Sequence, residues 1–153
     1  MTRPRLDGLH HVKIPVSDLA VALDHYERAF GAVRLPEADH FRPDGELFAY
    51  ICQVDGLDTL LELRLHPVRA LLQRGFDPLT VQVGGREDLR SWSDWLDRAG
   101  VAHSPVLAGL RAWLMVVPDP DGTVVRLYTR ETHGPEVPAD RDSPWLDESV
   151  RLG

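Results

Sequence analysis

His11-Val-Lys-Ile-Pro-Val16 and Pro78-Leu-Thr-Val-Gln-Val83 open the two halves of the chain in the same way. Each alternates apolar with other residues, as a half-buried strand does, and each runs into a segment of helical spacing that ends at a glycine, Gly31 or Gly100. The two openings lie 67 residues apart in a chain of 153. A strand feeding a helix, repeated at that distance, predicts two copies of one supersecondary unit facing each other around a shared site.

Working outward from the first stretch, Ser17 and Asp18 can cap a helix whose apolar positions are Leu19, Ala22, Leu23, Tyr26 and Phe30. Strands are predicted over 32–39, 46–54 and 59–66, with Arg42-Pro-Asp-Gly45 and Asp55-Gly56 as turn chemistry between them. The first module is then β-α-β-β-β over about 9–66. A connector from Pro67 to Asp77 carries a helical turn or two at 68–72. The second module, about 78–131, repeats the pattern: strand 78–83, then a helix over 86–99 with Glu87 and Asp88 in its first turn and Leu89, Trp92, Leu96 and Ala99 as its stripe. Strands at 103–107, 111–117 and 123–129 follow, the last two joined by Asp119-Pro-Asp-Gly122. Residues 132–153 form a Pro- and acid-rich tail, within which Trp145 and Leu146 are expected to pack back on the body or on a partner subunit.

Composition narrows the function classes. With 43% hydrophobic and 27% charged residues, the chain suits one compact domain over 6–131, of α+β class. A formal charge of −7 and no basic stripe argue against nucleic acid as a partner. No run of 18 apolar residues and no apolar leader core is present, so no membrane partner is expected and the location is expected to be cytoplasmic. Cys52 is the only cysteine, which rules out an intrachain disulfide and a Cys-based zinc cluster and predicts a packed, inert thiol.

Strand alternation sorts the side chains further. Val12, Ile14, Val16, Leu61, Leu63, Leu65, Leu79, Val81, Val83, Val125 and Leu127 share one parity, are all aliphatic, and are predicted to be covered by the two helices. The other parity holds His11, Lys13, Pro15, Leu60, Glu62, Arg64, His66, Pro78, Thr80, Gln82, Val124, Arg126 and Tyr128. That face is polar and mostly cationic in an acidic protein. It reads either as the inside of a wet, ligand-binding cup or as a sheet face simply open to solvent.

The ordered set HHVKIPVSDLAVALDHYERAFGA (10–32), LLEL (60–63), FDPLTVQV (76–83) and VVPDPDGTVVRLY (116–128) resembles the vicinal oxygen chelate superfamily, which includes glyoxalase I, extradiol dioxygenases, fosfomycin-resistance transferases and bleomycin-resistance proteins. The resemblance spans roughly residues 6–131. It implies paired βαβββ modules that form a cupped mixed sheet with helices outside, and commonly a homodimer. Whether the cup forms within one chain or across a dimer stays open. The resemblance further implies a metal held on the first and last strands of each module. His11 and Glu62 match the first two ligand positions, but the third is Pro78 and the fourth Arg126. Proline carries no side-chain donor and arginine stays protonated, so the implied cofactor is none or a weakly bound divalent metal, with His66, His40 or Tyr128 as replacement ligands.

Glu62 and Arg126 are equivalent positions in the two modules, and an ion pair between them is expected where relatives place the metal. His11, Glu62 and Arg126 are then the catalytic candidates, with His11 as acid or base. Lys13, Arg64, His66, Thr80, Gln82, Leu114 and Tyr128 are the ligand-binding candidates. The expected function is to bind a small oxygenated or anionic metabolite, as an enzyme of lyase or isomerase type. The alternatives are a metal-free sequestration protein of the bleomycin-resistance type, or an interaction module worked by the tail.

Overall fold

Asp18 opens the first helix by accepting a hydrogen bond from the Val21 amide at 2.9 Å, and Gly31 closes it in the left-handed region at φ 66°. The second long helix begins where the Asp88 carboxylate accepts from the Gly85 amide at 2.7 Å and ends at Gly100, φ 67°. These caps fix the helices where the sequence places them. The computed structural model describes residues 1–146. Its elements are β1 (His11–Val16), α1 (Leu19–Phe30), β2 (Val33–Arg34), β3 (His40–Phe41), β4 (Leu47–Gln53), β5 (Leu60–Leu65), α2 (Pro67–Leu72), β6 (Leu79–Val83), α3 (Arg86–Ala99), β7 (Leu107–Ala108), β8 (Ala112–Pro118) and β9 (Val124–Thr132).

The architecture is α+β, and the repeat is visible in the topology. One sheet runs β1-β5-β4-β2, with β3 also on β4, and the other runs β6-β9-β8-β7. In each module the opening strand lies at a sheet edge and pairs in parallel with the closing strand, whereas the remaining pairs are antiparallel. The described strands thus form two open mixed sheets in one chain, one per βαβββ module with its helix on the outside, as expected.

All eleven aliphatic residues of the helix-facing parity lie in or against the two main core clusters. Ile14, Val16, Leu61 and Leu63 pack with Leu19, Ala22 and Tyr26 of α1, and Leu127, Met115 and Val117 pack with Leu89 and Leu96 of α3. The clusters interlock, since Val125 of the second sheet joins the first cluster and Ala29 of α1 joins the second. The helices also touch directly: the Phe30 and Trp92 rings lie 5.9 Å apart, and the Trp95 indole N–H donates to the Ala29 carbonyl at 2.9 Å. The β8–β9 turn anchors to α1. The Tyr26 hydroxyl donates to Asp119 at 3.0 Å, and Ser17 donates through its amide (2.9 Å) and hydroxyl (2.5 Å) to Asp121. Ser17 therefore joins the modules instead of capping α1.

Three expectations change. The strand predicted over 32–39 is cut to Val33–Arg34, because Pro36 starts a single 3-10 turn (Pro36–Ala38) and an Arg34–Asp39 ion pair closes it before β3. The strand predicted over 103–107 shrinks to β7. Ahead of it, Ser104 mimics a ladder with its amide donating to the Val116 carbonyl and its hydroxyl accepting from the Val116 amide, both at 2.8 Å. The last strand runs three residues longer than predicted, to Thr132. Beyond it the tail folds back on the body up to Leu146, which packs on a core cluster as expected, whereas Trp145 beside it stays exposed. Its remaining residues, 147–153, lie outside the described residues.

Candidate functional site

On the face of the first sheet turned away from the helices, β1 and β5 set Lys13 beside Glu62 and Pro15 beside Arg64, while β4 sets Ile51 beside Glu62 and Ala49 beside Arg64. Glu62 is only 1% exposed. A buried carboxylate needs partners for its oxygens, and they are supplied by a neighbour two residues along the strand. Arg64 donates through Nε at 2.9 Å to one oxygen and through Nη2 at 3.2 Å to the other, in the two-pronged geometry natural to a guanidinium. His40 adds its Nε2 at 3.3 Å, with its Nδ1 held 2.9 Å from the Ala38 carbonyl.

An aromatic ring joins this group through a local irregularity. The β3–β4 register moves from Phe41 opposite Leu47 to His40 opposite Ala49, leaving Phe48 as the extra residue of a bulge. Strict alternation would send Phe48 to the core with Tyr50. Instead it lies against His40 (ring centroids 5.7 Å apart), with the guanidinium carbons of Arg42 and Arg64 each 5.3 Å from its centroid. Sequence reasoning did not find Phe48 or Arg42. The only signal was the turn at 42–45 next to a short strand, which does not fix a bulge.

The other candidates are distributed as follows. Arg126 pairs with Asp77 at 2.9 Å and is mostly buried, and Glu62 is held by Arg64 and His40. The expected Glu62–Arg126 ion pair is therefore replaced within the chain by two separate pairs, one per sheet. The reason is topological: β5 and β9 belong to different sheets, and each residue finds a partner close by, Glu62 on its own strand and Arg126 at Asp77, just ahead of β6. The His11 ring meets that of His10, with 2.8 Å between their Nδ1 atoms, at the start of β1. Lys13 is exposed beside Glu62. His66 turns to local duty as the N-cap of α2, where its Nδ1 accepts from the Arg69 amide at 3.3 Å. Pro78 sits just ahead of β6. Thr80 and Gln82 are exposed on β6, and the Gln82 amide oxygen accepts from Arg130 at 2.9 and 3.0 Å. Leu114 is buried and stands opposite half-buried Tyr128 in the β8–β9 ladder.

The donor set does not fit a divalent metal. Of the four positions that the resemblance implies, two carry no ligating group, and both oxygens of a third are engaged by cations. Among the described residues no three His, Cys, Asp or Glu side chains gather at metal-binding spacing. Elsewhere, burial pushes the Cys52 thiol up to about 11, as expected for an inert cysteine. Burial also pushes Asp119 up to about 6 and His25 down to about 4.

Comparison with known proteins places this geometry. The profile of the Glyoxalase/Bleomycin resistance protein/Dioxygenase superfamily matches residues 8–127. No curated protein matches the chain by sequence. Among solved structures, TnmS3, an antibiotic binding protein from Streptomyces sp. CB03234, is 24% identical with a TM-score of 0.65 over 84% of this chain and 100% of its own. A glyoxylase/bleomycin resistance protein/dioxygenase domain from Frankia sp. EAN1pec is 21% identical, with a TM-score of 0.60 over 82% of this chain and 98% of that one. The fosfomycin resistance protein FosX from Listeria monocytogenes is 16% identical, with a TM-score of 0.63 over 83% and 96%. At these identities the likeness is one of fold. No helix among the described residues is long and apolar enough to cross a membrane.

Proposed function

The chain belongs to the Glyoxalase/Bleomycin resistance protein/Dioxygenase superfamily, and from that membership we propose that it binds a small anionic or oxygenated molecule in its cup without a metal ion. One observation carries this reading: the buried Glu62 carboxylate has both oxygens taken by Arg64, with His40 adding a third contact. The charge that a ligand-bound cation would balance is already balanced by side chains. Lys13, His11 and the outer edge of the Arg64 guanidinium then offer donors for an acidic group, and the Phe48 ring beside them offers an apolar surface. TnmS3, of the same fold, is an antibiotic binding protein, which gives a precedent for binding on this scaffold.

The reading includes a homodimer and cytoplasmic residence. β1 and β6 are edge strands of separate sheets, so a second copy that set its β6 edge against β1 would complete a cup from two half-cups. Val68, Leu71 and Leu72 of α2, with Phe76 after it, are all exposed and would give such a dimer apolar area to bury. A second reading, a lyase- or isomerase-type enzyme, is favoured by the His10–His11 pair. Two imidazoles in contact can share and pass one proton beside a bound carbonyl.

The test is a calorimetric screen of small carboxylates and phosphonates with chelator present throughout. Saturable binding that weakens in Lys13→Gln and His11→Ala is the expected result. Binding seen only after a divalent metal is added would overturn the proposal.

A further inference from the structure

We infer that the inner face of the second sheet is a binding site for an apolar group, and that the chain's own C-terminal strap, residues 133–146, fills it until a ligand displaces the strap. This deepens the binding function proposed above and rests on it for the acidic end of the ligand.

The pairing of β8 with β9 sets Leu114 opposite Tyr128, Val116 opposite Arg126 and Pro118 opposite Val124, while β7 sets Leu107 opposite Leu114. These side chains share the face of Arg126, away from the helices. A sheet face turned away from its helices is expected to be wet. Here Leu107, Leu114, Val116 and Val124 are instead buried as a third apolar cluster, and the side chains packed on it are Tyr128 and Leu146. Leu146 is the apolar residue that the tail contributes to that cluster.

The strap is delivered by few bonds. Asp140 grips β7 at both ends of one residue: its carboxylate accepts from the Ala108 amide at 2.7 Å, and its own amide donates to the Ala108 carbonyl at 2.9 Å. Ser143 donates to the Asp140 carbonyl at 3.1 Å, and a 3-10 turn, Pro144–Leu146, then turns Leu146 onto the cluster. Pro135, Pro138 and Pro144 keep the segment out of regular structure, so it has little internal cooperativity to hold it down. The strap also lies outside the family match, which ends at residue 127, whereas TnmS3 is matched over its whole length.

The occupant that would replace Leu146 is a branched alkyl or aromatic group. Arg130, exposed on the same face of β9, favours a ligand that carries an acidic group on the same molecule. The proposed ligand is thus an amphipathic organic acid. A site blocked most of the time by its own chain binds more weakly by the fraction of time that it is open.

The test uses the full-length chain and 8-anilinonaphthalene-1-sulfonate as the probe, since it joins aromatic rings to an anion. Leu146→Asp and Asp140→Ala release the strap while every residue of the sheet keeps its identity; the second also frees the Ala108 amide of β7. Each is expected to bind the probe about tenfold more tightly than the parent, with a cooperative urea transition retained. In the parent protein, saturating probe is expected to speed trypsin cleavage at Arg141, which is exposed within the strap. Unchanged probe affinity in both folded variants, or cleavage at Arg141 indifferent to probe, overturns the inference. Neither outcome bears on the binding of small anions that lack an apolar body, so the two proposals fail separately.

Discussion

Asp119→Asn should remove most of one pH dependence of folding, and its size follows from the structure. Asp119 is 6% exposed, accepts from the Tyr26 hydroxyl at 3.0 Å and from the Asp121 and Thr123 amides at 2.9 and 3.0 Å, and has its pKa raised from 3.8 to about 6. Burial outweighs the hydrogen bonds, so the folded protein holds this proton more firmly than the unfolded chain does. Its stabilising contribution is complete below pH 3.8 and is lost as pH rises through about 6. At ~1.4 kcal/mol per unit the full swing is about 3 kcal/mol. His25 acts in the opposite sense. Burial lowers it from 6.5 to about 4, so it stabilises the fold above pH 6.5 and ceases to do so as pH falls toward 4. The two partly cancel in the parent protein, and only the difference between parent and variant isolates Asp119. Asparagine keeps an acceptor for both amides and can donate to the Tyr26 oxygen, which preserves the turn. Urea unfolding at pH 4, 5, 6 and 7.5 should show Asp119→Asn gaining on the parent by about 2–3 kcal/mol between the two ends. A constant difference across that range would mean that Asp119 does not hold its proton more firmly in the folded protein.

Three further outcomes follow from particular contacts. Arg64→Ala leaves buried Glu62 with His40 as its remaining partner and should cost about 1–3 kcal/mol in urea unfolding, the lower end because the Arg64 side chain is 36% exposed. Gly109→Ala would put a Cβ 2.9 Å from both the Ala112 carbonyl and the Tyr128 hydroxyl, and thermal denaturation should show a loss of about 1–3 kcal/mol. Cys52, fully buried and with its thiol pushed up to about 11, should react with a disulfide reagent only at the rate of unfolding.

The parts of the fold that were legible in advance are those set by local chemistry. Asp18 and Gly31 bound α1, Gly100 ends α3, and the alternation of eleven aliphatic residues marked the helix-covered faces, because caps and period-two burial are written in neighbouring residues. The topology followed from the repeat. What could not be read depended on contacts distant in sequence. The bulge that turns Phe48 toward Arg42 and Arg64 arises from the fit of β3 against β4. The choice of Arg64 and Asp77 as partners, in place of a Glu62–Arg126 pair, depends on which strands share a sheet. At the site itself, Pro78 and Arg126 already signalled a departure from the ligand pattern. Alternation had already set Arg64 on the face of Glu62; that its guanidinium, and not that of Arg126, takes both carboxylate oxygens became visible only once β5 and β9 were seen to lie in different sheets.

Side chains satisfy Glu62 in place of a cation, and calorimetric titration of the full-length protein with Mn(II) at neutral pH measures this directly. No saturable site is expected in the parent protein or in Glu62→Gln. Stoichiometric binding in the parent that disappears in Glu62→Gln would contradict it, and would return Glu62 to the role of a metal ligand.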